Sequence, residues 1–228
     1  MFSILALLSL HLIVVLSQQL PEHFGGKVDD RFRRVQQAFI DNFRRGYDTE
    51  GAAFVVYENS RLVVDLWGGY ADREAAKKWR EDTMSVAFSS TKAVLALVIA
   101  LLNSRGKLQY TDTVAKYWPE FAQNGKDNIT IDMVMNHRAG LVYLDQGIQV
   151  EDVESPTRMS LLFENARPNY PAGSMTVYHE FTYGWLVDQI VRRVDGQQRG
   201  VAEFLQDEVI RPNGISFYIG LPIELQGK

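Results

Sequence analysis

The spacing of hydrophobic residues changes along the first third of the chain. Between residues 29 and 46 the apolar positions recur every three or four residues, at Phe32, Val35, Phe39 and Phe43. This spacing places them on one face of a helix, which Asp29 and Asp30 would begin and Gly46 would end. The pattern therefore predicts an amphipathic helix.

Two β-rich segments follow this helix. Residues Ala52 to Tyr57 and Leu62 to Trp67 are mostly apolar, and the polar stretch from Glu58 to Arg61 joins them. This arrangement is typical of a β-hairpin, which Gly68 and Gly69 would end. A hairpin with one short extra strand is marginal on its own. Either the sheet needs more strands than this chain supplies or the early helix covers it unaided, and we expect the first.

The rest of the chain has a mainly helical pattern. A short apolar run from Met84 to Phe88 leads into Thr91 to Leu102, where nearly every position is apolar, and this predicts a helix buried on all sides. Residues 107–167 contain frequent Pro and Gly and predict short helices and loops. Two more helices are expected, Thr182 to Val194 ending at Gly196 and Val201 to Ile210 ending at Pro212.

The first 18 residues differ from everything that follows. Phe2 to Leu16 is apolar except for His11, and Ser17 is a small residue near a plausible cleavage point. This length is typical of a secretory signal peptide. A membrane anchor is the alternative, although a spanning helix needs roughly 20 apolar residues. We therefore expect a signal peptide or anchor over 1–18, a domain over 19–228, and a secreted or, alternatively, membrane-anchored protein.

The composition excludes several classes of protein. With 46% hydrophobic and 23% charged residues, the chain has the balance of a globular protein and not of a disordered one. The net charge is −4 and no long basic run occurs, so nucleic acid is not an expected partner. Cysteine is absent, which removes thiol nucleophiles and cysteine-type zinc sites.

The stretch Asn128-Ile129-Thr130 matches the acceptor sequence for N-glycosylation. It has this meaning only if the leader directs the chain into the secretory route. The alternative is that Thr130 caps the next helix.

Ser89 lies three positions before Lys92, at the start of the long apolar run. Residues three apart share a helix face, so the two side chains can meet. A serine hydroxyl is a poor nucleophile until a neighbouring base takes its proton, and an apolar environment favours the uncharged amine of a lysine, which can act as that base. The spacing thus predicts an activated serine. The alternative is that Ser89 or Ser90 caps the helix while Lys92 extends into solvent.

Several segments occur together in an order that one family shares: LWGGYAD, MSVAFSSTKAV, ITIDMVMNHRAGL and NYPAGSMTVYHEFTYGWLVDQIVRRVDG. From about Asp29 to Pro222 the chain resembles the serine β-lactamase and penicillin-binding-protein superfamily, in its class C and esterase-like branch, and most closely the animal β-lactamase-related proteins. This resemblance implies an α+β, β-lactamase-like fold, in which helices flank an antiparallel sheet and a helical region is added.

The resemblance also implies roles for three residues. Ser89 matches the serine that is acylated, Lys92 the lysine of the first motif, and Tyr178 the tyrosine that helps activate the serine and protonates the leaving group. A tyrosine acts as a base only as phenolate, and a nearby ammonium would lower its pKa, so the pair would share a proton. The lactamase version has Asn two positions after this tyrosine, whereas this chain has Glu180. That departure argues against assuming β-lactam hydrolysis.

Two histidines near these motifs need separate interpretations. His137, in the stretch NHRAGL, is expected to be a buried residue at a turn or helix end and not a base. The role of His179, next to Tyr178, is left open. The stretch from His179 to Tyr183 begins like a zinc-protease motif but ends in tyrosine, so neither a metal nor another cofactor is predicted.

The third motif of the family is not recognisable after Tyr178. The resemblance implies a Lys-Thr-Gly element, or a His/Gly equivalent, on a strand whose N–H completes the oxyanion hole with that of the serine. The candidate glycines follow Asp195, Arg199 and Asn213, and none has the required Lys or His before it on a β-like run. One oxyanion-hole donor is worth roughly 3–4 kcal/mol. We therefore expect that the fold is incomplete at its C-terminal end. The hypothesis that follows is that this chain is truncated and has no activity.

The expected function is that of a serine hydrolase that cleaves an ester or amide, in a small molecule or peptide, through an acyl-enzyme. The alternative is a non-catalytic member of the same fold that binds a partner or assembles into a homo-oligomer. The sequence does not identify the substrate.

Overall fold

The computed structural model describes residues 20–226, so the predicted signal peptide or anchor lies outside the described residues. The described chain forms two compact units, a sheet unit of residues 20–85 and a helical unit of residues 86–226. Within residues 20–226, no helix has both the length and the apolar character needed to cross a membrane.

The sheet unit is an antiparallel sheet with one helix. Strands β1 and β2 pair with the two sides of β3, and β4 pairs with the end of β3. The helix α1 begins after a 3-10 turn whose start is capped by the Asp29 carboxylate. The elements are β1 Phe24–Val28, α1 Arg33–Arg44, β2 Gly51–Glu58, β3 Arg61–Asp72 and β4 Lys77–Lys78. The predicted amphipathic helix is confirmed, and its Phe39 packs with Val64 and Leu66 of β3 in a small core.

The predicted hairpin is β2 and β3. Its turn is Asn59-Ser60, and both residues have positive φ, 49° and 63°. A two-residue turn of this kind twists in the same sense as the strands it joins, which fixes their register. The prediction of a hairpin with its turn between Glu58 and Arg61 is therefore confirmed.

One prediction about this sheet is wrong, and one of its strands was not predicted. Gly68 and Gly69 do not end the hairpin, because β3 continues to Asp72. A Cβ atom on Gly68 would lie 2.5 Å from the ring of Phe24 in β1, and Gly69 has a φ of 75°. These glycines therefore serve close approach and backbone geometry within the sheet. The strand β1 was not predicted, because its segment FGGKV has no clear alternation of apolar and polar residues.

The helical unit has a single large core. The predictions of short helices over residues 107–167 and of a helix from Thr182 to Val194 are confirmed. Its α-helices are α2 Thr91–Ser104, α3 Ile131–Met135, α4 Val150–Val153, α5 Pro156–Asn165, α6 Thr182–Val194, α7 Val201–Leu205 and α8 Arg211–Asn213. All named strands of the described residues lie before residue 79, as the early cluster of strand signals predicts.

The helix α2 is not buried on all sides, contrary to the sequence analysis. Leu95, Val98 and Leu102 are buried in the core, whereas Leu97 is 52% exposed. Ala93 and Ala100 are also exposed and lie on the same face as Leu97. The helix is apolar all round, but within the described residues only one side of it is covered. An apolar sequence shows that a helix can be buried and does not show that it is.

Pro212 does not end the last long helix, which is a further correction. After α7 the chain makes a π-helical turn, Gln206–Ile210, and the N–H of Arg211 donates to the carbonyl of Gln206. This wider turn shifts the hydrogen-bonding register just before the proline, so its missing N–H is accommodated. The helix continues through α8 and ends at Gly214, which has a φ of 62°.

Thr130 is the N-cap of α3, and its hydroxyl accepts a hydrogen bond from the N–H of Met133 at 3.1 Å. This confirms the capping interpretation of the Asn128-Ile129-Thr130 stretch. Asn128 itself lies exposed on a turn, next to the fully buried Ile129.

Candidate active site

Ser89, Lys92 and Tyr178 lie together in the helical unit. Ser89 is in a 3-10 turn, Phe88–Ser90, that leads directly into α2. Lys92 Nζ donates a hydrogen bond to Ser89 Oγ at 3.2 Å, and Tyr178 Oη lies 2.6 Å from the same oxygen. The three side chains predicted for the site therefore converge on the serine oxygen, although Tyr178 is 89 residues away from Ser89 in sequence.

The alternative interpretation, in which a serine caps the helix, does not fit the geometry. Ser90 is the N-cap of α2, but its side chain makes no capping hydrogen bond. Ala87 is the N-cap of the 3-10 turn and has no side-chain donor or acceptor. Ser89 directs its hydroxyl to Lys92 and Tyr178 and not to the backbone. Ser89 thus contacts the two side chains, Lys92 and Tyr178, that the sequence predicts to act with it.

Phe88, the residue before the serine, has an unusual backbone conformation. Its φ is 44°, which a residue with a Cβ adopts only at an energetic cost. Its side chain is 82% exposed, so burial of the ring does not offset that cost. Strained residues of this kind cluster at functional sites. This conformation was not predictable from the sequence, because the recognisable signal for a positive φ is a glycine and this position has Phe.

Tyr178 is the group best suited to accept a proton from Ser89. Side-chain hydrogen bonding by Lys92, followed by that of Ser89, lowers the pKa of the phenol, while desolvation and, less strongly, the charge of Glu180 oppose the shift. Lys92 Nζ lies 4.8 Å from the centre of the Tyr178 ring. A lower pKa increases the phenolate fraction near neutral pH, and phenolate is the form that can act as a base.

The segment that carries Tyr178 is fastened to the turn after α3, residues 137–141. The N–H of Val177 donates to the carbonyl of His137 at 3.0 Å, and the N–H of His179 donates to His137 Nδ1 at 3.1 Å. Farther along, the Thr182 hydroxyl donates to the carbonyl of Leu141 at 2.6 Å. The stretch NHRAGL thus forms the support on which the tyrosine is held.

His179 is fully buried beneath this segment. Its Nδ1 donates to the carbonyl of Val177 at 2.6 Å, and its Nε2 accepts from the N–H of Leu141 at 3.1 Å. Because one partner can only accept and the other can only donate, the ring is neutral with its proton on Nδ1. Burial lowers the pKa of His179, and the hydrogen bond to Val177 only partly opposes this. The residue whose role the sequence left open is a structural link.

His137 follows the end of α3 and has a φ of 59°. It is partly buried, and it is a helix-end residue as predicted. Its ring centre lies 4.9 Å from that of Tyr178 and 4.9 Å from that of Tyr183 in α6. Burial, followed by the charges of His179 and Lys92, lowers the pKa of His137.

Within residues 20–226, no three His, Asp or Glu side chains are grouped as a metal site would require. Glu180, the second residue of the incomplete zinc motif, is exposed. The arrangement around Ser89 is one of a hydroxyl, an ammonium and a phenol, and such a set can transfer protons to and from a serine oxygen.

Comparison with known proteins identifies relatives of this chain. The sequence model of the family described as Beta-lactamase matches residues 13–227. The protein called "Esterase/beta-lactamase LipL" of Mycobacterium tuberculosis is 38% identical over 172 residues, which are 75% of this chain and 39% of that protein. The esterase EstB of Burkholderia gladioli is 33% identical over 46% of this chain and 28% of its own length.

Solved structures give the same result. A penicillin-binding-protein homologue from Caulobacter crescentus has a TM-score of 0.82 at 39% identity, covering 88% of this chain and 53% of that one. A family VIII carboxylesterase has a TM-score of 0.82 at 32% identity, covering 88% of this chain and 55% of that one. A class C β-lactamase, at 19% identity and a TM-score of 0.69, shares the fold.

This chain therefore spans about half the length of the solved structures it matches, and less of the curated relatives. The organisms named here are bacteria, so the closer affinity to animal proteins stays a prediction. The predicted superfamily and the β-lactamase-like fold are both confirmed. A family match that extends over nearly the whole chain, together with these relatives, shows that the chain belongs to the β-lactamase family.

Proposed function

We propose that this protein is a serine hydrolase that cleaves an ester or amide through an acyl-enzyme formed on Ser89. One observation carries the proposal: Ser89 Oγ is within hydrogen-bonding distance of both Lys92 Nζ, at 3.2 Å, and Tyr178 Oη, at 2.6 Å. Covalent catalysis by a serine requires a group that can take the hydroxyl proton, and here such a group and a cation both lie within hydrogen-bonding distance of the serine oxygen.

In the first half-reaction, the Tyr178 phenolate takes the hydroxyl proton of Ser89 as the serine oxygen attacks the carbonyl carbon of the substrate. The Lys92 ammonium stabilises the phenolate and orients the serine oxygen. The carbonyl π bond opens to an oxyanion, which the backbone N–H of Ser89, the donor that the family resemblance implies, would stabilise. When the carbonyl re-forms, the leaving alcohol or amine takes the proton from Tyr178, and the acyl group stays on Ser89.

In the second half-reaction, water replaces the leaving group. Tyr178 takes a proton from the water as its oxygen attacks the acyl carbon, and a second tetrahedral intermediate forms. Collapse of this intermediate breaks the bond to Ser89 Oγ, which recovers its proton from Tyr178. The products are a carboxylic acid and the restored serine, so protons and atoms balance without a cofactor.

Esters are the substrate class that the observations favour. The relatives include proteins named as an esterase and as a family VIII carboxylesterase, at 33% and 32% identity. Glu180 occupies the position where the lactamase pattern has Asn, and it is exposed. An ester also has a better leaving group than an amide, so it is the easier substrate for a serine nucleophile to cleave.

The test is labelling of the purified chain with a fluorescent fluorophosphonate, which reacts covalently with activated serines. We expect labelling of the wild type, loss of labelling in Ser89→Ala, and unchanged labelling in Ser90→Ala. Ser90 is the matched control, because it is the adjacent serine and its side chain makes no capping bond. Tyr178→Phe should lower the labelling rate by about 10²–10⁴-fold, the usual effect of losing a general base.

A non-catalytic binding role is the second candidate. It is favoured by Glu180, which occupies the position where the lactamase pattern has Asn, and by the exposure of Ser89 to solvent. The same experiment separates the two functions. A folded wild type that shows no Ser89-dependent labelling supports the binding role and overturns the hydrolase proposal.

We also propose that the chain enters the secretory route and is glycosylated on Asn128. The support is the apolar leader together with an acceptor asparagine that lies exposed on a turn. Expression in a eukaryotic secretory system, followed by removal of N-linked glycans, should shift the mass of the wild type but not of Asn128→Gln. Thr130→Ser, which keeps both a capping hydroxyl and the acceptor sequence, is the control. A wild type without a glycan would contradict the proposal.

A further inference from the structure

His137 is tied to the backbone on both sides of Tyr178. Its carbonyl accepts from the N–H of Val177 at 3.0 Å, and its Nδ1 accepts from the N–H of His179 at 3.1 Å. The proposed mechanism does not use this histidine as an acid or base. It nevertheless makes two contacts that restrict where the tyrosine between those residues can point.

The imidazole ring also contacts the tyrosine side chain. The ring centres of His137 and Tyr178 are 4.9 Å apart at an angle of 60°, an edge-to-face arrangement. Tyr183 lies 4.9 Å from the same imidazole at an angle of 37°. Tyr183 belongs to α6 and is buried, so its packing limits the movement of the His137 ring. The position of the Tyr178 phenol is thus set by backbone bonds and by ring packing together.

We propose that His137 is a positioning residue, whose neutral imidazole holds Tyr178 against Ser89 and whose protonation on Nδ1 releases that hold. This inference rests on the proposed function, because it assigns to His137 the control of the group that would activate Ser89. It adds to that function a residue outside the serine, lysine and tyrosine, and a form of control by pH.

The proton matters because His137 Nδ1 is used as an acceptor. In the neutral ring the proton is therefore on Nε2. A protonated imidazole carries hydrogen on both nitrogens, so Nδ1 would face the N–H of His179 with a hydrogen of its own. The hydrogen bond would then be lost, and the cation would lie near the positive Lys92.

The charged and titratable groups around His137 come from every element packed against it. They are Lys92 from α2, Tyr178 and His179 from the segment before α6, Tyr183 from α6, and the neighbouring Arg138, whose guanidinium bonds to the carbonyl of Gly173. No carboxylate is among them, so the surroundings disfavour the imidazolium. Its pKa is lowered accordingly, and the neutral form prevails at neutral pH.

The variants follow from the geometry. In His137→Asn, the amide oxygen can replace Nδ1 as acceptor, the side chain does not titrate, and Asn tolerates a φ of 59°. His137→Gly tolerates the same backbone conformation but has no acceptor. Comparison of Asn with Gly therefore isolates the hydrogen bond from backbone strain. His23→Asn is the control in the sheet unit, where the His23 ring bonds to the carbonyl of Trp79.

The first measurement is an NMR titration of the full chain with labelled histidine and tyrosine rings, with Tyr178→Phe used to assign the Tyr178 signal. In the wild type, the Tyr178 signal should move together with the protonation of His137, at a pH below the ordinary histidine value of about 6.5. In His137→Asn this acid transition of Tyr178 should disappear, and in His23→Asn it should remain. A Tyr178 signal that is indifferent to the protonation of His137 would overturn the inference.

The second measurement is the rate of fluorophosphonate labelling. At about pH 8 we expect His137→Asn to react within roughly threefold of wild type and His137→Gly to react at least about tenfold more slowly, because small displacements of a catalytic group are costly. As the pH falls below about 6, the wild type should lose rate more steeply than His137→Asn, by up to about tenfold per pH unit. Equal rates and equal pH profiles for Asn and Gly would refute the positioning role.

The two proposals fail in different ways. If the wild type shows no Ser89-dependent labelling, the hydrolase proposal fails, and the titration of Tyr178 still decides whether His137 controls the tyrosine. If labelling depends on Ser89 but not on the residue at position 137, the hydrolase proposal stands and the inference about His137 falls. Urea unfolding of each variant confirms that the compared proteins are folded.

Discussion

Two lysines of the helical unit have opposite surroundings. Lys92 lies at the start of α2, partly exposed, and donates to the hydroxyl of Ser89. Lys126 is fully buried, and its ammonium donates to the carbonyls of Gln123, Glu164 and Ala166, at 2.8, 3.0 and 2.5 Å. One lysine contacts a side chain that can react, and the other contacts only backbone carbonyl groups.

The difference shows what makes a lysine functional. A lysine in an apolar environment is expected to be functional because burial favours its uncharged amine. Yet the more buried lysine, Lys126, has no nucleophile among its hydrogen-bond partners. Burial lowers the pKa of Lys126 to about 8, and the charge of Glu164 opposes the shift. Its three donors instead join the end of α5 to the loop around Gln123. In the proposed mechanism, the chemical nature of the hydrogen-bond partner, and not the degree of burial, separates the role of Lys92 from that of Lys126.

Replacing Lys92 gives the largest expected effect. Lys92→Ala removes the cation next to Ser89 and Tyr178, so the labelling rate should fall by about 10²–10⁴-fold. The free energy of unfolding should change by less than about 0.5 kcal/mol, since the side chain is near the surface. Competition between the fluorophosphonate and a chromogenic ester would measure the loss. A variant that labels at the wild-type rate would show that Lys92 is no more functional than Lys126.

Lys92→Arg sharpens the same comparison. Arginine keeps the positive charge but cannot be deprotonated in a protein. Recovery of at least a tenth of the wild-type rate would mean that position 92 acts through its charge, as the proposed mechanism requires. A loss of rate as large as that of Lys92→Ala would mean that the lysine amine itself takes up and releases a proton during the reaction.

Replacing Lys126 should have the opposite outcome. Lys126→Met fills a similar volume but removes the ammonium that donates to the buried carbonyls of Glu164 and Ala166, whereas the carbonyl of Gln123 keeps the backbone N–H of residue 126. Each unsatisfied group costs about 1–3 kcal/mol, and the gain from no longer burying a charge offsets part of this. We expect a net loss of about 2–4 kcal/mol in urea unfolding. Lys107→Met, at an exposed lysine, is the control and should change stability by less than about 0.5 kcal/mol. A loss below about 1 kcal/mol for Lys126→Met would contradict this account.

Local features of this fold were predictable from the sequence. The hairpin of β2 and β3 and the helix α6 each depend on residues close together in the chain, so periodicity and turn chemistry suffice to find them. The pairing of Ser89 with Lys92 is local in the same sense. Tyr178 was found only through the resemblance to a family, because spacing cannot connect two residues that are 89 positions apart.

Features that depend on distant contacts were not predictable. The strand β1 has two glycines, and its position against Gly68 becomes clear only when β3 is in place. His137 and His179 are 42 residues apart, so their hydrogen bond has no periodic signature. Lys126 looks like a surface residue in a polar loop, and its burial follows from carbonyl groups about 40 residues later. In each case the tertiary partner decides the role of the residue.

The buried histidine next to the open site predicts how stability depends on pH. Burial lowers the pKa of His179 in the folded state, and the unfolded value is about 6.5. Between those two values the unfolded chain binds more protons than the folded chain. The contribution of His179 to the free energy of unfolding is therefore complete above about pH 6.5 and is lost as the pH falls below that value. His137, whose pKa is also lowered, contributes with the same sign.

Urea unfolding between about pH 7.5 and about pH 5.5 measures this effect, above the range in which carboxylates titrate. His179→Gln removes one of the titrating groups and should give a shallower dependence, at the cost of lower stability throughout. A wild type whose free energy of unfolding is flat over this range would contradict the neutral, buried state assigned to His179.

Substitutions of Phe88 give the smallest expected change in the free energy of unfolding, but the sign of the difference between the Gly and Ala variants is clearly predicted. At most positions Ala is more stabilising than Gly by about 0.4–1 kcal/mol, because Gly has more freedom in the unfolded chain. At a φ of 44° a Cβ is unfavourable by roughly 1–2 kcal/mol, so at position 88 the order should reverse. Since the Phe88 ring is exposed, neither substitution loses much burial, and urea unfolding of Phe88→Gly and Phe88→Ala compares the backbone alone. If Phe88→Gly is the more stable by about 0.5–1 kcal/mol, the turn before Ser89 is held in a strained conformation by the fold around it. If Phe88→Ala is the more stable, the backbone before Ser89 is not strained. The surroundings of Lys92 and Lys126 then differ in their hydrogen-bond partners and not in backbone strain.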